Sequence, residues 1–195
     1  MQLSVTTRMG VDEFFLWVER EERRHELVDG VPVAMAGANR RHDRIVVNVL
    51  GEFRNQLRGK RCSPFTADTA VRIPNGNIRL PDVGVDCGTP NDSERAADHP
   101  TVVVEVLSPS TRQFDLFRKL EEYKSVPSIA HILIVDPDEP EAIHWRRGDG
   151  GWAHQVHEGM EAVAVLDEPA LTLRFADVYE GLRFQPRPRL VLDEG

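Results

Sequence analysis

A chain of 195 residues with 41% hydrophobic and 29% charged content suits one globular domain that can bury a core. Its 24 Lys and Arg against 32 Asp and Glu give a net charge of −8, which excludes an evenly basic, nucleic-acid-coated protein but not a local basic face. No apolar run approaches the roughly 18 to 20 residues of a membrane span, so no membrane partner is expected. The opening MQLSVTTRMGVDEF lacks the regions of a signal peptide, and Cys62 and Cys87 have neither CxxC nor zinc-type spacing. The expectation is a cytoplasmic protein with two reduced thiols.

In chain order, VDEFFLWVEREERR (11–24) reads as an amphipathic helix with a charged end. HELVDGVPVAMA (25–36) alternates around Asp29-Gly30, a hairpin signal. From Arg40 to Arg58 a second helix carries Ile45, Val46, Val49, Leu50, Phe53 and Leu57 at helical spacing. The same region holds Arg40, Arg41, Arg44, Arg54, Arg58, Lys60 and Arg61 against Asp43 and Glu52, either a phosphate-facing surface or a solvated helix face. FTADTAVRI (65–73) and IRLPDVGVDC (78–87) read as strands joined by a turn at Asn75-Gly76-Asn77, and GTPNDSERAADHP (88–100) as a loop.

A strand, VVVEVL, follows. Ser108-Pro109-Ser110-Thr111 then offers helix-start chemistry for a helix to about Lys124, with Phe114, Leu116, Phe117, Leu120 and Tyr123 on its core-facing arc. IAHILIVD (129–136) is a second buried strand, EAIHWRR and GWAHQVH a hairpin, and ALTLRFADVYEGL a strand with a short helix. Strand, helix, strand over 101–136 implies a parallel pair with a crossover, and the hairpins imply a mixed sheet. The fold class is therefore α/β (α+β), one domain over 1–195 with its core at about 10–184.

Glu105 stands inside the apolar run TVVVEVL, where burying an ion costs several kcal/mol unless something compensates. Pro81-Asp82 lies at the mouth of the preceding apolar run. If those strands are neighbours, two carboxylates converge and a cation between them relieves their repulsion. Magnesium, held by one or two carboxylates plus substrate phosphate, is the natural candidate.

Asp82 after a proline, Glu105 on a buried strand and a nearby lysine resemble the PD-(D/E)XK nuclease superfamily, with its restriction-endonuclease-like fold. Within it the chain is similar to the Uma-type endonucleases through HELVDG (25–30), Arg41-His42 at a helix start, LPDVGV (80–85), VVVEVLSPSTRQFDLFRKLEEY (102–123), ILIVDP (132–137), WRR…GW and DVYEGL. The superfamily lysine two residues after the glutamate is replaced by Leu107, and Lys119 on the following helix matches the Uma-type pattern. The resemblance implies a Mg²⁺-dependent DNA endonuclease, Mn²⁺ substituting, that works as a homodimer. Asp82 and Glu105, with the carbonyl of Val106, would bind metal. Lys119 would orient or deprotonate water or stabilise the transition state, and Glu26 would complete the ring of acids.

Each residue also has a plainer reading. Lys119 follows Asp115 by four residues, so a surface helix pair is one alternative; in the catalytic reading Asp115 positions the lysine. Glu26 is otherwise a surface acid beside Arg23 and Arg24. His42 is otherwise a satisfied core histidine, and functionally a contact to phosphate or water. Asp136 reads as a turn cap. Arg40, Arg41, Arg44, Arg58 and Lys60 are the candidate DNA-backbone contacts. Two rival functions remain beside the nuclease: a catalytically inactive nucleic-acid-binding or assembly module, which Leu107 and the acidity favour, and a hydrolase of another phosphoester.

Overall fold

Alternation and helical spacing decide most of the elements seen in the computed structural model, which describes residues 8–35, 37–108 and 114–184, with backbone alone at 114 and 115. Helix α1 (Val11–Val18) stops at Val18 instead of reaching residue 24, because residues 19–24 are all charged and offer nothing to bury. Strands β1 (His25–Val28) and β2 (Val31–Ala34) form the expected hairpin. Asp29 and Gly30 turn it with φ of 51° and 78°, the left-handed pair that a two-residue loop demands.

Helix α2 (Arg40–Leu57) is capped by Asn39, whose side chain accepts from the Arg41 and His42 amides. It buries Ile45, Val49, Phe53 and Leu57 as the spacing predicts. The run 65–73 is not one strand. A turn closed by Thr69 N–H to the Thr66 carbonyl divides β3 (Ser63–Thr66) from β4 (Val71–Arg72). β5 (Ile78–Arg79) and β6 (Val83–Asp86) are likewise split, at Leu80-Pro81-Asp82.

β7 (Pro100–Val106) is buried along its whole length. After it come α3 (Phe114–Ser125), β8 (His131–Asp136), β9 (Glu141–Gly148), β10 (Gly151–Glu158), β11 (Val163–Asp167), β12 (Ala170–Arg174) and α4 (Phe175–Val178). The sequence reading missed β11, which pairs with β12 as a separate ribbon. The main sheet runs β10-β9-β8-β7-β6-β3 and is mixed, with β7 parallel to β8 and the other neighbours antiparallel. Pro64 sits on edge strand β3, where its missing N–H costs no ladder bond.

One face of this sheet packs on α2, the β11–β12 ribbon and α4. The other packs on α3 through Val103, Leu120, Tyr123, Ile132 and Ile134. A smaller sheet, β2-β1-β5-β4, lies under α1 with Phe14, Leu27 and Ile78 at its centre. Phe117 departs from the expected arc and is 69% exposed, while Leu120 and Tyr123 face inward. Among the described residues no helix is long and apolar enough to cross a membrane.

The cysteine reading is corrected here: Cys62 and Cys87 are disulfide-bonded, not free thiols. Cys62 precedes β3 and Cys87 follows β6, and the antiparallel register Ser63↔Asp86 brings them side by side. Sequence spacing cannot reveal such a pairing, because the strand register creates it. The thiol-based argument for a reducing compartment falls with it.

Candidate active site

The register Val83↔Val104 between β6 and β7, extended by one residue, sets Asp82 opposite Glu105. Asp82 Oδ2 accepts from the Val106 amide at 2.8 Å, which fixes the carboxylate against the C-terminal end of β7. His42, at the start of α2, brings Nε2 to 3.2 Å from the same oxygen. Burial pushes the His42 pKa down. The Asp82 hydrogen bond and charge, the Val106 backbone and the Glu105 charge together outweigh it, so the imidazole is raised above its ordinary value.

Glu105 answers to α3. Tyr123 donates its hydroxyl to Glu105 Oε1 at 2.7 Å, and Lys119 Nζ stands 3.5 Å from that oxygen. Burial nonetheless pushes the Glu105 carboxyl up to about 7. The Lys119 ammonium pulls it down, the Asp82 and Glu26 charges push it further up, and the Tyr123 hydrogen bond lowers it. Burial also raises Tyr123 well above the ordinary phenol value, so it remains a donor.

Glu26, from β1, completes the group. Its Oε1 lies 2.9 Å from Lys119 Nζ and accepts from the Leu80 amide at 3.1 Å, while Oε2 takes Arg79 Nη1 at 2.7 Å. Burial opposes the charge on Lys119, but Glu105 and Glu26 raise its pKa far above that of a free lysine. The ammonium thus spans two carboxylates from different strands. Lys119 and Tyr123 thus compensate the buried charge of Glu105, and do so incompletely.

The structure therefore gathers Glu26, His42, Asp82, Glu105 and Lys119, with the Val106 backbone, at one end of β7. Both described partners of Lys119 are acids from strands of the two sheets, whereas the side chain of Asp115 lies outside the described residues, as do Pro109, Ser110 and Thr111 of the expected helix start. Asp136 caps its turn by accepting from the Asp138 and Glu139 amides. The basic candidates separate. Arg40 and Arg44 are exposed near the site, whereas Arg58 and Lys60 lie beyond the far end of an 18-residue helix, about 27 Å away at 1.5 Å per residue. Arg41 is occupied: it donates to the Arg183 carbonyl and stacks over Phe184.

Sequence reasoning missed Arg79, Glu122 and the Tyr123 hydroxyl as members of the site. Glu122 and Tyr123 fall three and four residues after Lys119, the spacing that shares a helix face, so a signal was present for them. Arg79 had none, since its role depends on β5 pairing beside β1 and on its side chain also reaching Glu122 of α3.

Among the described residues no three His, Cys, Asp or Glu side chains form a ready ligand cluster. Two carboxylates still suit a hard cation, because magnesium commonly takes one or two from protein and completes its shell with water and phosphate. The fit rests on geometry: the β6–β7 register sets the Asp82 carboxylate opposite buried Glu105, and a cation between them would relieve the repulsion of the two acids.

The family model described as "Putative restriction endonuclease", Uma2, matches residues 11–176. The chain belongs to the Uma2 family. The uncharacterized protein slr1290 of Synechocystis sp. is 32% identical over 183 residues, covering 91% of this chain and 94% of that protein. The uncharacterized protein sll1609 of the same organism is 25% identical over 157 residues, covering 78% and 89%. A crystal structure described as a putative nuclease belonging to DUF820, from Anabaena variabilis ATCC 29413, superposes with a TM-score of 0.72. It covers 88% of this chain and 97% of its own at 19% identity, a likeness of fold. The restriction-endonuclease-like fold and the Uma-type assignment expected from the motifs both hold.

Proposed function

We propose that this Uma2-family protein is a Mg²⁺-dependent DNA endonuclease, with Mn²⁺ able to substitute. The observation that carries the reading is the convergence of Glu26, Asp82, Glu105 and Lys119, from β1, the β5–β6 connection, β7 and α3, on one point at the sheet end. Asp82 and Glu105, with the Val106 carbonyl, would hold the cation, which when bound supplies Lewis acidity to the scissile phosphate.

Lys119, protonated and fixed between two acids, is suited to donating to an attacking water or to the negative charge that develops on phosphate; its raised pKa argues against a role as base. Tyr123 holds Glu105 by one oxygen and leaves the other for a ligand. His42 orients Asp82 through Oδ2. Arg40 and Arg44, exposed at the start of α2 beside His42, would contact a bound backbone, and a duplex reaching Arg58 and Lys60 would follow the length of α2. A homodimer would supply one site per strand.

Single-turnover cleavage of plasmid and short duplex DNA with Mn²⁺ tests this. Lys119→Ala should lower the rate about 10²- to 10³-fold, the loss expected for one transition-state donor. Its DNA affinity, measured with Ca²⁺, should stay near that of the wild type. Equal rates for both proteins would refute the role of Lys119. A wild type that binds DNA and cuts no form of it would establish the inactive binding or assembly module instead.

A further inference from the structure

Glu26 and Lys119 meet because a third residue holds the glutamate. Arg79 heads the fully buried side chains, at 1% exposure. From the two-residue strand β5 it bonds Glu26 Oε2 through Nη1 at 2.7 Å and Glu122 Oε2 through Nε at 2.5 Å. Glu122 is pinned further at Oε1 by Asn77 Nδ2 at 2.7 Å and Arg118 Nε at 3.1 Å. Because Glu122 lies three residues beyond Lys119 on α3, whatever fixes Glu122 also fixes the helix face that carries Lys119.

Stability is a poor reason for this arrangement. A buried ion network is often matched or bettered by apolar residues of equal volume, and Arg79 keeps a buried Nη2 with no hydrogen-bond partner. Position is a better reason. Glu26 spends one oxygen on Arg79 and the other on Lys119 and the Leu80 amide, so its plane is set from both sides. Only the rigid fork of an arginine reaches both Glu26 and Glu122 at once.

We infer that Arg79 is a positioning residue: by bridging Glu26 on β1 to Glu122 on α3, it holds the Lys119 ammonium between Glu26 and Glu105. Its consequence for cleavage rests on the proposed function, but the positioning itself does not.

The fold supplies a matched control. Lys124 is on the same helix and is as protected as Lys119, with side chains 14% and 13% exposed. Lys124 is held instead by Glu121 and by the Trp145 ring, 3.6 Å from Nζ. Acylation of both lysines with acetic anhydride, read by peptide mass spectrometry on metal-free and DNA-free protein, reports their positioning without any catalysis.

In Arg79→Lys, Lys119 should acylate at least about tenfold faster, the factor implied by losing one charge-assisted hydrogen bond, with Lys124 unchanged. Glu26→Gln should do the same, and the double variant should be no faster than Glu26→Gln alone, since both act through one link. A parallel rise at Lys124 would mean that Arg79 merely supports the fold. Unchanged labelling of Lys119, or additive effects, would equally overturn the inference. If Arg79→Lys does not fold, Glu122→Gln releases the other anchor, and the same selective rise at Lys119 is required.

With DNA, Arg79→Lys should slow single-turnover cleavage while leaving affinity in Ca²⁺ unchanged. A wild type that never cleaves would remove the proposed function and leave the labelling result standing. Unchanged labelling would remove the inference and leave the function standing.

Discussion

Replacing Glu105 with glutamine should stabilise the metal-free protein at alkaline pH. The folded-state carboxyl is pushed up to about 7 from an ordinary value of 4.5, chiefly by burial and by the neighbouring acids. Between those values the folded state binds more protons than the unfolded chain, so stability falls as pH rises from about 4.5 through 7. At the free-energy cost of each pH unit, that difference corresponds to about 3 kcal/mol. That figure is an upper limit, because entry of water and relaxation of Lys119 soften it. Glutamine imitates the protonated form and can still accept from Tyr123. In EDTA, urea unfolding from pH 5 to 8 should show a fall in wild-type stability of up to about 3 kcal/mol that is missing from the Glu105→Gln profile. At pH 8 the variant should be the more stable protein. Millimolar Mn²⁺ should close most of that gap, since a ligand at 100 times its Kd adds about 2.7 kcal/mol to the protein that binds it. Parallel pH profiles for the two proteins in EDTA would refute the burial argument, and melting curves that ignore Mn²⁺ would count against the metal.

Far from this site, His131, His144 and His157 lie buried across β8, β9 and β10, with His131 Nδ1 3.0 Å from His144 Nε2 and Asp167 on His131 Nε2. Burial, helped by His131, His157 and Arg146 against Asp167, pushes His144 down to about 4 from 6.5. Its contribution of up to about 3 kcal/mol is therefore complete above pH 6.5 and is lost as pH falls towards 4. His144→Gln keeps a donor for His131 and should flatten that part of the acid-unfolding curve; an unchanged curve would assign acid lability elsewhere. The Cys62–Cys87 bond closes a separation of 25 residues, so reduction should cost about 3.5 kcal/mol on the chain-entropy account. Thiol titration of the denatured, unreduced protein should find no free cysteine, and two free thiols would contradict the bond.

Elements whose burial repeats along one chain segment were legible in the sequence. The arc of α2, the apolar run of β7 and the Asp29-Gly30 turn each carry their own period or backbone requirement, and local physics needs no partner to express them. The sequence also exposed Glu105 as an anomaly, because a charge inside an apolar run is visible without a structure, and the motif likeness attached Asp82, Lys119 and Glu26 to it. What it could not contain was register. The Cys62–Cys87 bond, the placement of Asp82 across from Glu105, and Arg79 between Glu26 and Glu122 all depend on which strands lie side by side. Phe117 was misplaced and β11 was missed for a related reason. Each segment carries apolar side chains on both faces, Val163 and Val165 lying outward from β11 opposite buried Ala164 and Leu166, so the surrounding elements decide which side is inward. Side-chain period is a property of one segment, whereas a buried charge network is closed by residues far apart in the chain, and only the assembled sheet and helix bring them within hydrogen-bonding distance.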